Sequence, residues 1–118
     1  MGHEVQESSF QFAVRIVNLC KYLREKHGEY TLSKQLLRCG TSIGANVTEA
    51  QQAQSKLDFV HKMSIALKEA VETNYWLRLL YATDYLSIKA FNSMSLDCTA
   101  LEKMLTAIIK TAKEQDDC

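Results

Sequence analysis

The sequence predicts an all-α protein folded as an antiparallel up-down-up-down four-helix bundle, and three observations carry that expectation. Apolar residues recur at the 3.6-residue helical period along almost the whole chain, and sustained strand-type alternation occurs nowhere. Proline is absent and glycine occurs only four times, so the turn chemistry of β architectures is missing. The 118 residues, 47% of them apolar, suffice for one domain over 1–118 with its own core, and no internal repeat or low-complexity run divides them.

The first helix is expected over 9–27. Phe12, Ile16, Leu19 and Leu23 form one line and Phe10, Val14 and Val17 a second, a face wide enough to pack on two neighbours. Ser8 or Ser9 is the expected cap, Lys21, Arg24 and Lys26 complement the negative end of the dipole, and Gly28 follows as the terminating residue. A second helix is expected over 32–54, with Thr31 as N-cap and Leu32, Leu36, Cys39, Ile43, Val47 and Ala50 on its inner side. Gly40 and Gly44 sit four apart inside it, where each costs about 1 kcal/mol relative to alanine. The compensation expected is close packing of another helix on a flat strip that Ala45 and Ala53 extend.

Ser55-Lys-Leu-Asp58 is a capping signal and opens the third helix, 56–83, whose Phe59, Met63, Ala66, Ala70, Leu77 and Tyr81 fall on one face. After a turn at Asp84-Tyr85-Leu86, Ser87 caps a fourth helix, 88–114, carrying Ile88, Phe91, Met94, Leu101, Leu105, Ile108 and Ala112. Asn92, Ser93, Ser95 and Asp97 weaken its first half, so a bend or break is expected there, and Glu114-Gln-Asp-Asp-Cys118 is expected to fray. At ~1.5 Å per residue the four helices match in length well enough to lie side by side.

Charge and cysteine content narrow the function. Fourteen basic and fourteen acidic residues give no net charge, which disfavours a strongly basic nucleic-acid binder while leaving room for a local patch. Cys20, Cys39, Cys98 and Cys118 lie far apart, form no C-x-x-C, and read as reduced thiols of a cytoplasmic protein. The amino end, Met1-Gly-His-Glu-Val-Gln6, does not look like a leader, and Gln6 stands where a myristoylation motif wants Ser or Thr. No apolar run reaches the ~18 residues a membrane span needs, so a soluble protein is expected.

A bundle invites the question of a di-metal carboxylate site, which needs two Glu-x-x-His pairs and two further glutamates. Asp58-Phe-Val-His61 is one near match without a second. Cys39 and His61 can be paired on paper as nucleophile and base, but helix spacing does not bring them together. Phosphate-binding, dinucleotide and nucleophile-elbow motifs are absent. No enzyme, catalytic residue, metal or cofactor is therefore expected.

The polar residues of the middle helices say more. Arg38, Ser42, Asn46 and Glu49 follow at steps of four, four and three, and Lys62, Glu69, Glu72 and Trp76 at seven, three and four, so each set shares a helix face. These are either solvated faces with ordinary ion pairs or a polar network between helices or subunits that selects one register. Trp76 beside Tyr75 suits an interface and core packing equally.

The stretches Gln35-Leu-Leu-Arg38-Cys-Gly40-Thr-Ser-Ile-Gly44-Ala-Asn46-Val-Thr-Glu49-Ala, Ser55-x-x-Asp58-Phe-x-x-Lys62 and Ile65-Ala-Leu-Lys68-Glu69-Ala-x-Glu72-Thr-x-Tyr75-Trp76-Leu resemble the signature of the 23S rRNA intervening-sequence proteins, also called the four-helix-bundle protein family. The likeness runs from Phe10 to about Lys113, with Cys39 where the family commonly has serine. The resemblance implies an antiparallel bundle assembling as a homopentameric ring. The chain also resembles the accessory variability protein of diversity-generating retroelements, a basic pentamer that engages nucleic acid and a reverse transcriptase. Two functions are therefore expected in order: a non-enzymatic homo-oligomeric scaffold or adaptor, and an RNA or other nucleic-acid binder. The second would use Arg15, Lys21, Arg24, Lys26, Lys34 and Arg38, six bases opposed between Arg15 and Arg38 by Glu25 and Glu29 alone.

Overall fold

The computed structural model describes residues 3–115, which form α1 (His3–His27), α2 (Thr31–Ala50), α3 (Lys56–Ala82) and α4 (Ile88–Gln115), with no strand among them. Each helix packs on its sequence neighbours and α1 closes on α4, while across the diagonals α1/α3 and α2/α4 no Cα atoms come within 8 Å. The result is an up-down-up-down bundle of 52 × 22 × 19 Å, packed most closely at the α2–α3 seam and least at α1–α4. Phe12, Ile16 and Leu23 from α1, Leu36, Ile43 and Val47 from α2, Met63, Leu77 and Leu80 from α3, and Leu101 and Leu105 from α4 fill the core.

Several local expectations need correction. α1 starts at His3 rather than at residue 9, because buried Val5 extends its apolar line by a further turn. Ser8 and Ser9 therefore do not cap it; Ser9 is buried inside the helix and its hydroxyl donates to the Gln6 carbonyl at 3.1 Å. The second apolar line is not packed on a neighbour either, since Phe10, Val14 and Val17 are exposed and Ser9, Ile16 and Cys20 widen the buried face instead.

α2 is capped by Glu29 rather than Thr31. The Glu29 carboxylate is buried and accepts from the backbone N–H groups of Thr31, Leu32 and Ser33 at 3.0, 2.8 and 2.7 Å, taking up orphan donors of the first turn. The same helix ends at Ala50 rather than 54. Tight turns through Gln51, Gln52 and Ala53 release the chain so that Ser55 can be extended (φ −152°, ψ 164°) and accept from the Asp58 N–H at 3.0 Å.

α3 closes at Ala82 with Asp84 in the left-handed region (φ 70°). The Tyr85 N–H reaches the Leu80 carbonyl and the Asp84 N–H the Tyr81 carbonyl, the paired bonds of a Schellman ending. Gly28 (φ 61°) plays the corresponding chain-reversing part after α1. α4 runs unbroken from Ile88, its start capped by Ser87, whose hydroxyl accepts from the Ala90 N–H at 3.1 Å. No break occurs there, and the polar residues instead bind other helices: Ser93 and Asp97 hold Arg15, and the Ser95 hydroxyl donates to Asn74 at 3.1 Å. Of the tail expected to fray, Glu114 and Gln115 are helical, and 116–118, with Cys118, lie outside the described residues.

Candidate functional site

The polar residues singled out on α2 and α3 meet along the seam between those helices. Arg38 bridges Glu69, at 3.3 Å, and Glu72. Glu72 also accepts from the Trp76 indole N–H at 3.0 Å, so one carboxylate fixes a guanidinium and an indole together. About two to three turns further along, Lys62 pairs with Glu49 at 2.9 Å, and that hydrogen bond pushes the Lys62 ammonium up from its ordinary value. Ser42 and Asn46 lie on α2 alone, where the Asn46 amide donates to the Ser42 carbonyl and hydroxyl at 2.9 and 3.0 Å. Half of the Arg38 side chain is in solvent, so its ion pairs are screened and contribute little to stability. Trp76 rests partly against the core, with the Tyr75 ring edge-on at 5.1 Å.

The glycine strip faces α1. A Cβ on Gly40 would stand 2.7 to 2.9 Å from three side-chain atoms of Ile16, and one on Gly44 would be 3.3 Å from the Ser9 carbonyl oxygen. Beside this crossing runs a groove of about 230 Å³, lined among others by Ser9, Phe10, Ala13, Gly44 and Ala45.

The six basic candidates separate. Arg15 binds Asp97 at 2.5 Å and Ser93, and Arg38 belongs to the α2–α3 seam. Arg24 donates to the Ser33 hydroxyl at 3.1 Å. Lys21, Lys26 and Lys34 make no ion pair among the described residues. Two arrangements escaped the sequence reading. One is the Glu29 cap, hinted at only by a glutamate four residues before Ser33. The other is an α3–α4 bridge in which the Asn74 amide donates to Glu102 and Thr99, for which one chain read alone carries no signal.

Cys20, Cys39 and Cys98 are buried free thiols whose sulfurs donate to the carbonyls of Ser33, Leu36 and Ala70. Burial pushes all three up, Cys20 to about 11. A raised thiol loses its proton only at higher pH, so almost no reactive thiolate exists near neutrality. Iodoacetamide at pH 8 is therefore expected to leave these three unmodified in the native protein and to label them once urea unfolds it, read by peptide mass spectrometry; native labelling at Cys20 would contradict this. His61 is exposed on α3, whereas the Cys39 thiol is buried and donates to the Leu36 carbonyl. Among the described residues no group of three or more His, Cys, Asp or Glu is placed to hold a metal ion, and no helix is long and apolar enough to cross a membrane.

Residues 2–107 match the family model described as 23S rRNA-intervening sequence protein. Among solved structures, a protein of unknown function from the S23 ribosomal protein family of Bacteroides thetaiotaomicron VPI-5482 is 52% identical and superposes with a TM-score of 0.91, over 92% of this chain and 97% of that one. No curated protein matches significantly.

Proposed function

Because the chain belongs to the 23S rRNA-intervening sequence protein family, we propose that it acts without catalysis in the cytoplasm, as a homo-oligomeric helical scaffold or adaptor whose expected assembly is a pentameric ring. The observation that carries this reading is the apolar line on α1 that the chain leaves uncovered: Phe10, Val14 and Val17 are 60%, 41% and 36% exposed. A ring requires two different faces that fit each other, whereas a two-fold dimer uses one face twice. α3, diagonal to α1, offers such a second face in Val71 and Tyr75, 53% and 57% exposed. A non-catalytic role is supported by the commitment of Glu49, Glu69 and Glu72 to ion pairs at the surface.

Light scattering after size exclusion tests this. The parent chain is expected at a multiple of 13.4 kDa, and Val14→Glu at or near the monomer mass with its helical circular dichroism intact. A 13.4 kDa parent at micromolar concentration would overturn the assembly, and an unchanged mass for Val14→Glu would remove α1 from the interface.

Nucleic-acid binding is the second reading, favoured by one observation: Lys21, Lys26 and Lys34 remain uncommitted after Arg15 and Arg38 have been drawn into ion pairs. The balance of fourteen acids and fourteen bases confines such binding to a local patch.

A further inference from the structure

The α1–α2 and α3–α4 connections meet at one end of the bundle, where the His27 ring packs edge-on against Tyr85, centroids 5.5 Å apart at 84°. The same imidazole meets Tyr22 at 5.3 Å and 72°, with Nε2 3.2 Å from the tyrosine hydroxyl. These contacts hold the Tyr22 ring in place without covering it, at 45% exposure, and Tyr30, across the Gly28 turn, is 64% exposed. Three uncommitted lysines accompany the rings. Lys21 precedes Tyr22, Lys26 precedes His27, and Lys34 follows Tyr30 by four residues.

The acids of this end are not all presented to a ligand. Glu29, half of the acidic opposition between Arg15 and Arg38, is buried and turns its carboxylate oxygens to three N–H groups of α2 rather than to the surface. Glu25 and, from the other connection, Asp84 are the exposed acids set against the lysines.

We propose that this end of the bundle binds single-stranded nucleic acid, the lysines taking phosphates and the Tyr22 and Tyr30 rings stacking on unpaired bases. The proposal rests on the second reading above and gives it a site. Rings and lysines together favour a single strand, because the bases of a duplex are already stacked on one another and leave phosphates alone to contact. An acidic peptide would satisfy the lysines but has no use for the tyrosine faces.

Fluorescence anisotropy with the full chain tests this, using a labelled oligouridylate of about 20 nucleotides, an oligothymidylate of the same length and an RNA duplex of matching length. Binding of either single strand is expected, weakening steeply between about 50 and 200 mM salt, with the duplex about tenfold weaker or more. Uridylate preferred over thymidylate would assign the site to RNA, and equal binding would assign it to single strands of either kind. Tyr30→Ala should lower affinity about fivefold or more, with Tyr30→Phe restoring it. Replacing Lys21, Lys26 and Lys34 together by alanine should flatten the salt slope by about two, while Lys103→Ala on α4 should change nothing. Equal binding of the duplex, parent-like affinity of Tyr30→Ala, equal competition by polyglutamate, or no binding at low salt would each overturn the proposal. Light scattering on the same samples separates this from the assembly: an oligomer that ignores the strands defeats only this site, and a monomer that binds them defeats only the ring.

Discussion

Gly40→Val is expected to destabilise the bundle by about 2 kcal/mol or more, read as a lower urea midpoint at unchanged slope. The Cβ alone would enter within 2.7 to 2.9 Å of Cγ1, Cδ1 and Cγ2 of Ile16, a side chain with no exposed surface. Cγ1 and Cγ2 are both attached to the Ile16 Cβ, so no rotation of that side chain clears them together. The helix-propensity gain on removing glycine, about 1 kcal/mol, offsets only part of the overpacking. A double-mutant cycle isolates the contact: Gly40→Ala should cost stability in the parent and become neutral or stabilising in an Ile16→Ala background. Equal effects in both backgrounds would show that Ile16 is not the reason for the glycine. Gly44→Ala should be far milder, since its one close neighbour is the Ser9 carbonyl oxygen at 3.3 Å.

Glu29→Ala is expected to cost about 2 kcal/mol, the upper range for a lost cap, because three N–H groups lose a charged acceptor at once. The Ser33 hydroxyl keeps its own partners in this variant, since it donates to the Glu29 backbone carbonyl at 2.9 Å and accepts from Arg24, so the loss is confined to the three N–H groups. Glu29→Gln should fall between, since one amide oxygen still accepts while the NH₂ group opposes a backbone donor. Hydrogen exchange offers a local check: the amides of Thr31, Leu32 and Ser33 should lose protection before the rest of α2. A parent-like melting temperature and parent-like protection in Glu29→Ala would show that the cap contributes nothing.

The assignment of Gly40 and Gly44 to a close helix crossing was legible in the chain, because two glycines four apart in a helix carry a cost that only close packing explains. The Ser55 and Ser87 caps were legible for a similar reason: each bond spans three residues, and the pattern that makes it is contiguous. Less of the site was readable. Arg38, Glu69 and Glu72 could be placed on faces, but their meeting depends on how α2 rotates against α3, and the sequence left an interface between subunits equally open. Arg15 read as a free base until Asp97, 82 positions later, was found against it.

What the amino-acid sequence settled unaided is the helical character of the chain and the central buried lines, such as Phe12, Ile16 and Leu23, because periodicity and capping act between residues three or four apart. The three-dimensional packing settled which apolar line on α1 would be buried and which charges would be neutralised. An amphipathic helix in a four-membered bundle has two neighbours, and their approach decides its rotation. Here the glycines of α2 draw α1 in through Ser9 and Ile16, which leaves Phe10, Val14 and Val17 outside. The net charge of zero likewise hid a division that folding makes: some bases meet acids on other helices, and Lys21, Lys26 and Lys34 do not.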